Sequence, residues 1–328
     1  MQSKTKTEIS RTLIDAMVRT EFGPSVVLAE VRSLDDGWFN SAYAIHFLDG
    51  PADVVLRVAP DPEMRLLTYE QDMMRAEIDV HELVQEKLDV PVPRLCAYGL
   101  SRTIVDRDYM FTEMLSGTPL NKLPQPLDSE NHDAVERELG ACAARIHALH
   151  GPGFGYFGKT PYGTWREAFL SMVFALLDDG ASFAVELPLP YAQIRTAFDD
   201  LAEVLDEVEQ PSLVHWDLWP GNVFVVKQDG RYTIEGITDW ERAFWGDPES
   251  ELPMVLRPRG SPWFQGYGKE LAEGKDAAIR HCMYRLYLWL VMVIEAKVRF
   301  EGADHVRWVY GQLEQDLEVL QQYTRSAP

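Results

Sequence analysis

The strand-forming residues of this chain are gathered into two places, and that separation limits the folds open to it. Short β-rich runs occupy the front: VVLAEV from Val26, AYAIHFL from Ala42, VVLRV from Val54 and YMFTEML from Tyr109. Asp49-Gly50 stands between the second and third as hairpin punctuation. A long stretch of mostly helical spacing follows. The strand signal then returns once, between 213 and 239, where LVHWDLWPGN leads into VFVV, a turn at Gln228-Asp229-Gly230, and YTIEGIT. Strands grouped this way, rather than alternating with helices, point to an α+β chain with a small β-rich front and a larger helical back.

Helical spacing marks the remaining segments. It covers 8–22, through Ile9, Leu13, Met17 and Val18, and 65–88, through Ile78, Leu83 and Val84. Val-Pro-Val-Pro at 90–93 then forces an extended entry into another strand. Residues 131–150 set Leu139, Cys142, Ala143 and Ile146 on one face, and Gly151-Pro152 stops that helix. Further helices are expected over 164–207, interrupted near Pro188–Pro190, and over 275–300 and 303–323. No internal repeat is present.

Composition narrows the partners. The 328 residues suffice for two domains. The formal net charge of -21 repels phosphate backbones, which excludes nucleic acid as the expected partner. The longest dense apolar run, Leu286–Ile294, is far short of the roughly 20 residues of a membrane span. The opening MQSKTKTEIS lacks the apolar core of a signal peptide. A soluble cytoplasmic protein with no membrane partner is expected. Cys96, Cys142 and Cys282 form no C-x-x-C pair, so free thiols in a reducing compartment are expected rather than a zinc site. Nothing in the sequence sets the oligomeric state.

The densest polar group between apolar strands is His215-Trp216-Asp217-Leu218-Trp219-Pro220-Gly221-Asn222, and Asp239 ends the strand seventeen residues after Asn222. The pattern H-x-D-x-x-x-x-N, a hairpin and an Asp has a chemical logic. A loop carboxylate, Asp217, accepts the proton of an attacking hydroxyl. The amide oxygen of Asn222 and the carboxylate of Asp239 are hard ligands for Mg²⁺, and the hairpin between them lets both reach one ion. Four fixed residues at fixed spacing arise by chance about once in 10⁵ start positions.

Residues 215–222 resemble the catalytic loop of the aminoglycoside phosphotransferase and choline kinase-like family, whose members usually read H-G-D-x-H-x-G-N there. Thr238-Asp239-Trp240-Glu241 with Gly246-Asp247-Pro248 is similar to that family's metal-binding D-W-E/G…G-D-P continuation. Leu34–Tyr43 resembles its phosphate-covering hairpin, Arg75-Ala76-Glu77 its helix glutamate, and Phe111-Thr112-Glu113-Met114 with Gly117 its hinge.

The resemblance implies a bilobal protein-kinase-like fold. An N-terminal nucleotide-binding lobe would cover 1–112, a hinge 113–118 and a C-terminal catalytic and acceptor lobe 119–328. Helical segments at about 160–208 and 254–328 would form the acceptor cleft. Asp217 would be the catalytic base, Asn222 and Asp239 would bind magnesium, and His215 would prop the loop. Gly37, Asn40 and Ser41 would cover the phosphates of ATP or GTP. Backbone groups of Glu113, Met114 and Leu115 would meet the nucleobase.

One departure stands out. The family commonly places a lysine on the third front strand, paired with the helix glutamate. Here that strand is Val54-Val55-Leu56-Arg57-Val58, and no lysine occurs between Lys6 and Lys87. Arg57 is the residue left to hold the phosphates and fork onto Glu77, with Glu70 a rival partner.

The activity so implied is Mg-dependent transfer of the γ-phosphate of ATP or GTP to a hydroxyl of a small molecule. Its acceptors include an antibiotic such as an aminoglycoside or macrolide, or alternatively a sugar, a choline-like alcohol or another metabolite. A non-catalytic nucleotide-binding homologue is the remaining alternative. A protein kinase fits less well, because only seven residues separate Asp239 from Asp247, leaving little room for a peptide-docking loop. Asp247, Glu249 and Glu251 would suit a basic acceptor, and the tryptophans near them a ring system.

Overall fold

The structure is a computed structural model and describes residues 4–35, 37–300 and 306–325. Asp36 of the expected hairpin and residues 303–305 of the last expected helix lie outside the described residues. Packing divides the chain into two units that do not follow chain order. One comprises Met1–Leu66, Asp72–Leu127 and Pro220–Glu241, the other Leu67–Gln71, Asp128–Trp219 and Arg242–Pro328.

The first unit is built on an antiparallel sheet. Its strands are β1 (Val27–Leu34), β2 (Ser41–Asp49), β3 (Val54–Val58), β4 (Leu95–Gly99) and β5 (Tyr109–Glu113), in the order β1-β2-β3-β5-β4. The Ser10 side chain caps α1 (Arg11–Phe22) by accepting from the Leu13 amide. The buried face of α1, Ile14, Met17 and Val18, shares one core with Tyr43, Ile45, Leu56 and Phe111. Strand alternation decides what β3 offers: Val54, Leu56 and Val58 are buried, which turns Val55 and Arg57 to the opposite face. A second sheet, order β10-β9-β6, joins β6 (Thr118–Pro119) to the hairpin of β9 (Val223–Gln228) and β10 (Arg231–Ile237).

The helix expected over 65–88 starts only at Met73, as α2 (Met73–Lys87). Asp72 sits at φ 63°, a left-handed conformation that no helix continues through. The residues before it form a short 3₁₀ turn, Thr68–Glu70, which belongs to the other unit.

That second unit is mainly helical: α3 (Ser129–His147), α4 (Trp165–Ser182), α5 (Tyr191–Asp199), α6 (Leu252–Leu256), α7 (Pro262–Tyr267), α8 (Lys275–Arg299) and α9 (Val306–Arg325). A small sheet, order β7-β11-β8, comprises β7 (Gly155–Tyr156), β8 (Ser212–Val214) and β11 (Phe244–Gly246). Two glycines let α3 and α7 touch backbone to backbone. A Cβ at Gly140 would lie 2.0 Å from the Trp263 carbonyl oxygen, and one at Gly266 1.9 Å from that of Arg137. By length and composition α8 could cross a membrane, yet 83% of its most apolar window is buried within the protein, which makes it a core helix. All three cysteines are free thiols, Cys142 and Cys282 buried and Cys96 partly so.

Candidate active site

In the sheet unit, the outward face of β3 delivers Arg57 into a cluster of acids. One arm of its guanidinium, Nη1, donates to Glu77 Oε1 on α2. The other arm, Nη2, donates to Asp239 Oδ1 at 2.6 Å and to Glu241 Oε2 at 3.0 Å, in the turn after β10. Glu77 Oε1 also accepts the Trp240 amide at 3.2 Å. One oxygen from each of the three acids lies within 4.8 Å of the others. Burial works against the Arg57 charge, but the three carboxylates outweigh it and hold its pKa above the usual arginine value. Burial raises the Glu77 carboxyl more than Arg57 lowers it, and Asp239 adds to the rise. The rival Glu70 is bound instead to Arg299 in the helical unit.

The β9–β10 hairpin sets Asn222 beside the Asp239 turn. Val223 faces Ile237 in register, and the Thr238 amide donates to the Asn222 carbonyl at 2.9 Å. Asp239 itself is at φ 69°, a strained conformation for a residue other than glycine. The donor set suits a hard divalent cation: carboxylates from Asp239 and Glu241, and the Asn222 amide. Two buried oxygens, Glu77 Oε2 and Asn40 Oδ1, have no hydrogen-bond partner among the described residues, so the cluster has room for a further donor.

The expected phosphate hairpin reaches this cluster through Asn40, whose Nδ2 donates to Glu241 Oε2 at 2.7 Å. Gly37 is at φ 84° with open space where a Cβ would stand, the conformation a tight turn requires. Ser41 Oγ donates to the Thr7 carbonyl at 2.7 Å and accepts the Thr7 amide at 3.2 Å, which ties the hydroxyl to the N-terminal segment.

At the hinge, the Glu113 amide donates to Arg94 O at 2.8 Å and the Met114 amide to Asp53 O at 3.2 Å. These two N–H groups serve the protein itself. Glu235 on β10 fastens the next residues, accepting the Ser116 amide at 3.1 Å and the Gly117 amide at 2.6 Å. Burial raises the Glu235 pKa, but Ser116 and the two amides prevail and hold it below its usual value.

In the helical unit, Asp217 is partly exposed while His215, Trp216 and Leu218 around it are buried. Its amide donates to His215 Nδ1 at 3.2 Å. Trp216 is held at φ 65°, its ring packed 5.2 Å from Tyr287 and 6.3 Å from Phe244. Fully buried Glu251 anchors this loop: its Oε2 accepts the His215 amide at 2.9 Å and lies 3.3 Å from His147 Nε2.

Asp247, Glu249 and Glu251 are therefore scaffold rather than a receiving surface for a basic acceptor. Asp247 accepts the Tyr284 hydroxyl at 2.6 Å and the Glu249 amide at 2.9 Å. Glu249 holds His281 at 2.7 Å and the Ala272 amide at 2.6 Å. Among the tryptophans expected to suit a ring system, Trp216, Trp240, Trp245 and Trp263 are buried, which leaves Trp219, 40% exposed.

Sequence reasoning passed over two site residues. Glu241 stands two positions beyond Asp239 in the quoted D-W-E segment, and that spacing was its signal. Glu235 gave none, because its partners lie more than a hundred residues away.

The sequence pattern of the phosphotransferase enzyme family matches residues 30–288. Probable ketoamine kinase YniA of Escherichia coli strain K12 is 30% identical over 248 residues, covering 70% of this chain and 76% of that protein. A thermostable mutant of aminoglycoside phosphotransferase APH(4)-Ia, in ternary complex with AMP-PNP and hygromycin B, has a TM-score of 0.63 at 22% identity, over 94% of this chain and 98% of that one. The streptomycin-ATP-APH(2")-IIa ternary complex has a TM-score of 0.58 at 14% identity, over 97% of each chain. These likenesses establish the kinase-like fold. With the family pattern spanning most of its length, the chain belongs to the phosphotransferase enzyme family and is a small-molecule kinase.

Proposed function

We propose that this enzyme transfers the γ-phosphate of ATP to a hydroxyl of a sugar-derived ketoamine, with Mg²⁺, in the cytoplasm. The acid cluster around Arg57 carries the phosphate half of this reading. It joins a cation able to fork onto phosphate oxygens to carboxylates able to hold a metal. Asp239, Asn222 and Glu241 are the residues that would hold Mg²⁺, which when bound neutralises charge on the transferred phosphoryl group. Asp217 takes the proton of the attacking hydroxyl. Arg57 grips the phosphates, Gly37 and Asn40 cover them, and the Leu115 amide and hinge carbonyls meet the nucleobase. The ketoamine assignment is supported by relatives in several bacteria that bear the name probable ketoamine kinase. The cytoplasmic assignment is supported by three free thiols.

The test is coupled ADP release with a fructosyl-amine, a free hexose, choline and hygromycin B as acceptors, and mass spectrometry for the added HPO₃. The fructosyl-amine is expected to give the highest kcat/KM. A higher value for hygromycin B would make the enzyme an antibiotic kinase, and ADP release indifferent to every acceptor would end the transferase reading.

A further inference from the structure

The strand cation here is an arginine, and its two arms create a competition that one ammonium would not. Nη1 is spent on Glu77, and Nη2 on Asp239 and Glu241. Asp239 Oδ1, 2.6 Å from Nη2, is one of the two oxygens with which Asp239 would hold a divalent ion. A lysine gathers its three donors on one compact ammonium, whereas the planar fork holds Glu77 with one nitrogen and Asp239 and Glu241 with the other.

We propose that Arg57 is the resident counter-cation of the seat formed by Asp239 and Glu241, and that a divalent ion gains this seat only when nucleotide phosphates draw the guanidinium away. This rests on the reading of Asp239 and Asn222 as metal ligands. Asp239 and Glu241 share one arm of a single guanidinium, which leaves the pair net negative and favours a second cation. The second cation nevertheless meets repulsion while Arg57 holds the same oxygens. Phosphate oxygens are an alternative partner for the fork, and moving Nη2 onto them releases Asp239. The orphaned Glu77 Oε2 and Asn40 Oδ1 show that the cluster has further acceptor capacity beyond what Arg57 meets. Nucleotide and metal then strengthen each other's binding by the same factor.

The experiment measures Mn²⁺ binding to the full chain by electron paramagnetic resonance, without nucleotide and with ADP, for the wild type, R57K and R57Q. Without nucleotide, both variants are expected to bind Mn²⁺ at least about ten-fold more tightly than the wild type, with a smaller further gain from ADP. R57K keeps a cation beside Glu77, which guards against loss of the fold in R57Q; near-ultraviolet circular dichroism checks both. A folded variant with equal or weaker Mn²⁺ affinity overturns the competition. Should no protein bind Mn²⁺ beyond ADP's own complex, the ligand roles of Asp239 and Asn222 fall first, and the competition falls with them.

Discussion

Two groups of acids, one in each unit and each largely buried, differ in what answers them. In the sheet unit Glu77, Asp239 and Glu241 share the guanidinium of Arg57, and Glu77 Oε2 has no partner among the described residues. In the helical unit Asp247, Glu249 and Glu251 are met by the Arg280 guanidinium, a tyrosine hydroxyl, two histidines and several backbone amides. Acids whose oxygens are all answered make a scaffold. Acids with an unmet oxygen have room for an incoming cation. Acidity by itself does not tell the two apart; the census of partners does.

The largest effect expected on this division comes from Asp217, which stands on the loop that Glu251 anchors but is partly exposed. Asp217→Asn is predicted to lower kcat by about 10²–10⁴ while ADP affinity is unchanged. A variant that keeps most of its rate would show that Asp217 is not the base. Next comes Glu251→Ala, which strips a buried carboxylate from the His215 amide and His147. Leaving a buried donor such as the His215 amide without its acceptor costs about 1–3 kcal/mol. The midpoint of thermal unfolding should fall by several degrees, and kcat with it, because the loop carrying Asp217 loses its anchor. An unchanged midpoint would contradict the scaffold reading.

The sequence showed whatever rests on local periodicity and spacing. β3 lies where VVLRV stands, and the helical run from 164 divides into α4, which stops at Ser182 ahead of Ala184 at φ 54°, and α5, which follows Pro190. The H-x-D-x-x-x-x-N segment was readable because its parts are contiguous. Residues 65–72 misled because their periodicity continues that of α2, while Asp72 turns left-handed and Glu70 pairs with a residue 229 positions away. Asp247 and Glu251 looked like an acidic patch for a similar reason. Tyr284 and His147, which answer them, lie 37 and 104 positions away.

Arg57→Ala sharpens the comparison from the sheet side. Charge-assisted hydrogen bonds to phosphate are each worth about 1.5–3 kcal/mol. Losing the fork should therefore raise the KM for ATP about 10–100-fold, with kcat less affected. An unchanged KM would remove Arg57 from the nucleotide site and leave its cluster as a second scaffold.

The smallest effect tests whether the hinge fastening follows the scaffold pattern. Glu235 is answered by Ser116 and two backbone amides, and its pKa lies below the usual 4.5. The unfolded chain then takes up the proton first as pH falls. The stability Glu235 contributes is fully present above about pH 4.5 and disappears as pH drops through the lower, folded value. The carboxylate is partly exposed, so solvent screening limits that contribution to about 1 kcal/mol. Glu235→Gln should lower the unfolding midpoint by a small, constant amount at neutral pH, and the gap to the wild type should close in acid. It should also raise the KM for ATP a few-fold, because the segment after Leu115 is less firmly held. A gap that widens in acid would mean that the protonated form of Glu235 makes the stabilising contact, which reverses the sign argued from its partners.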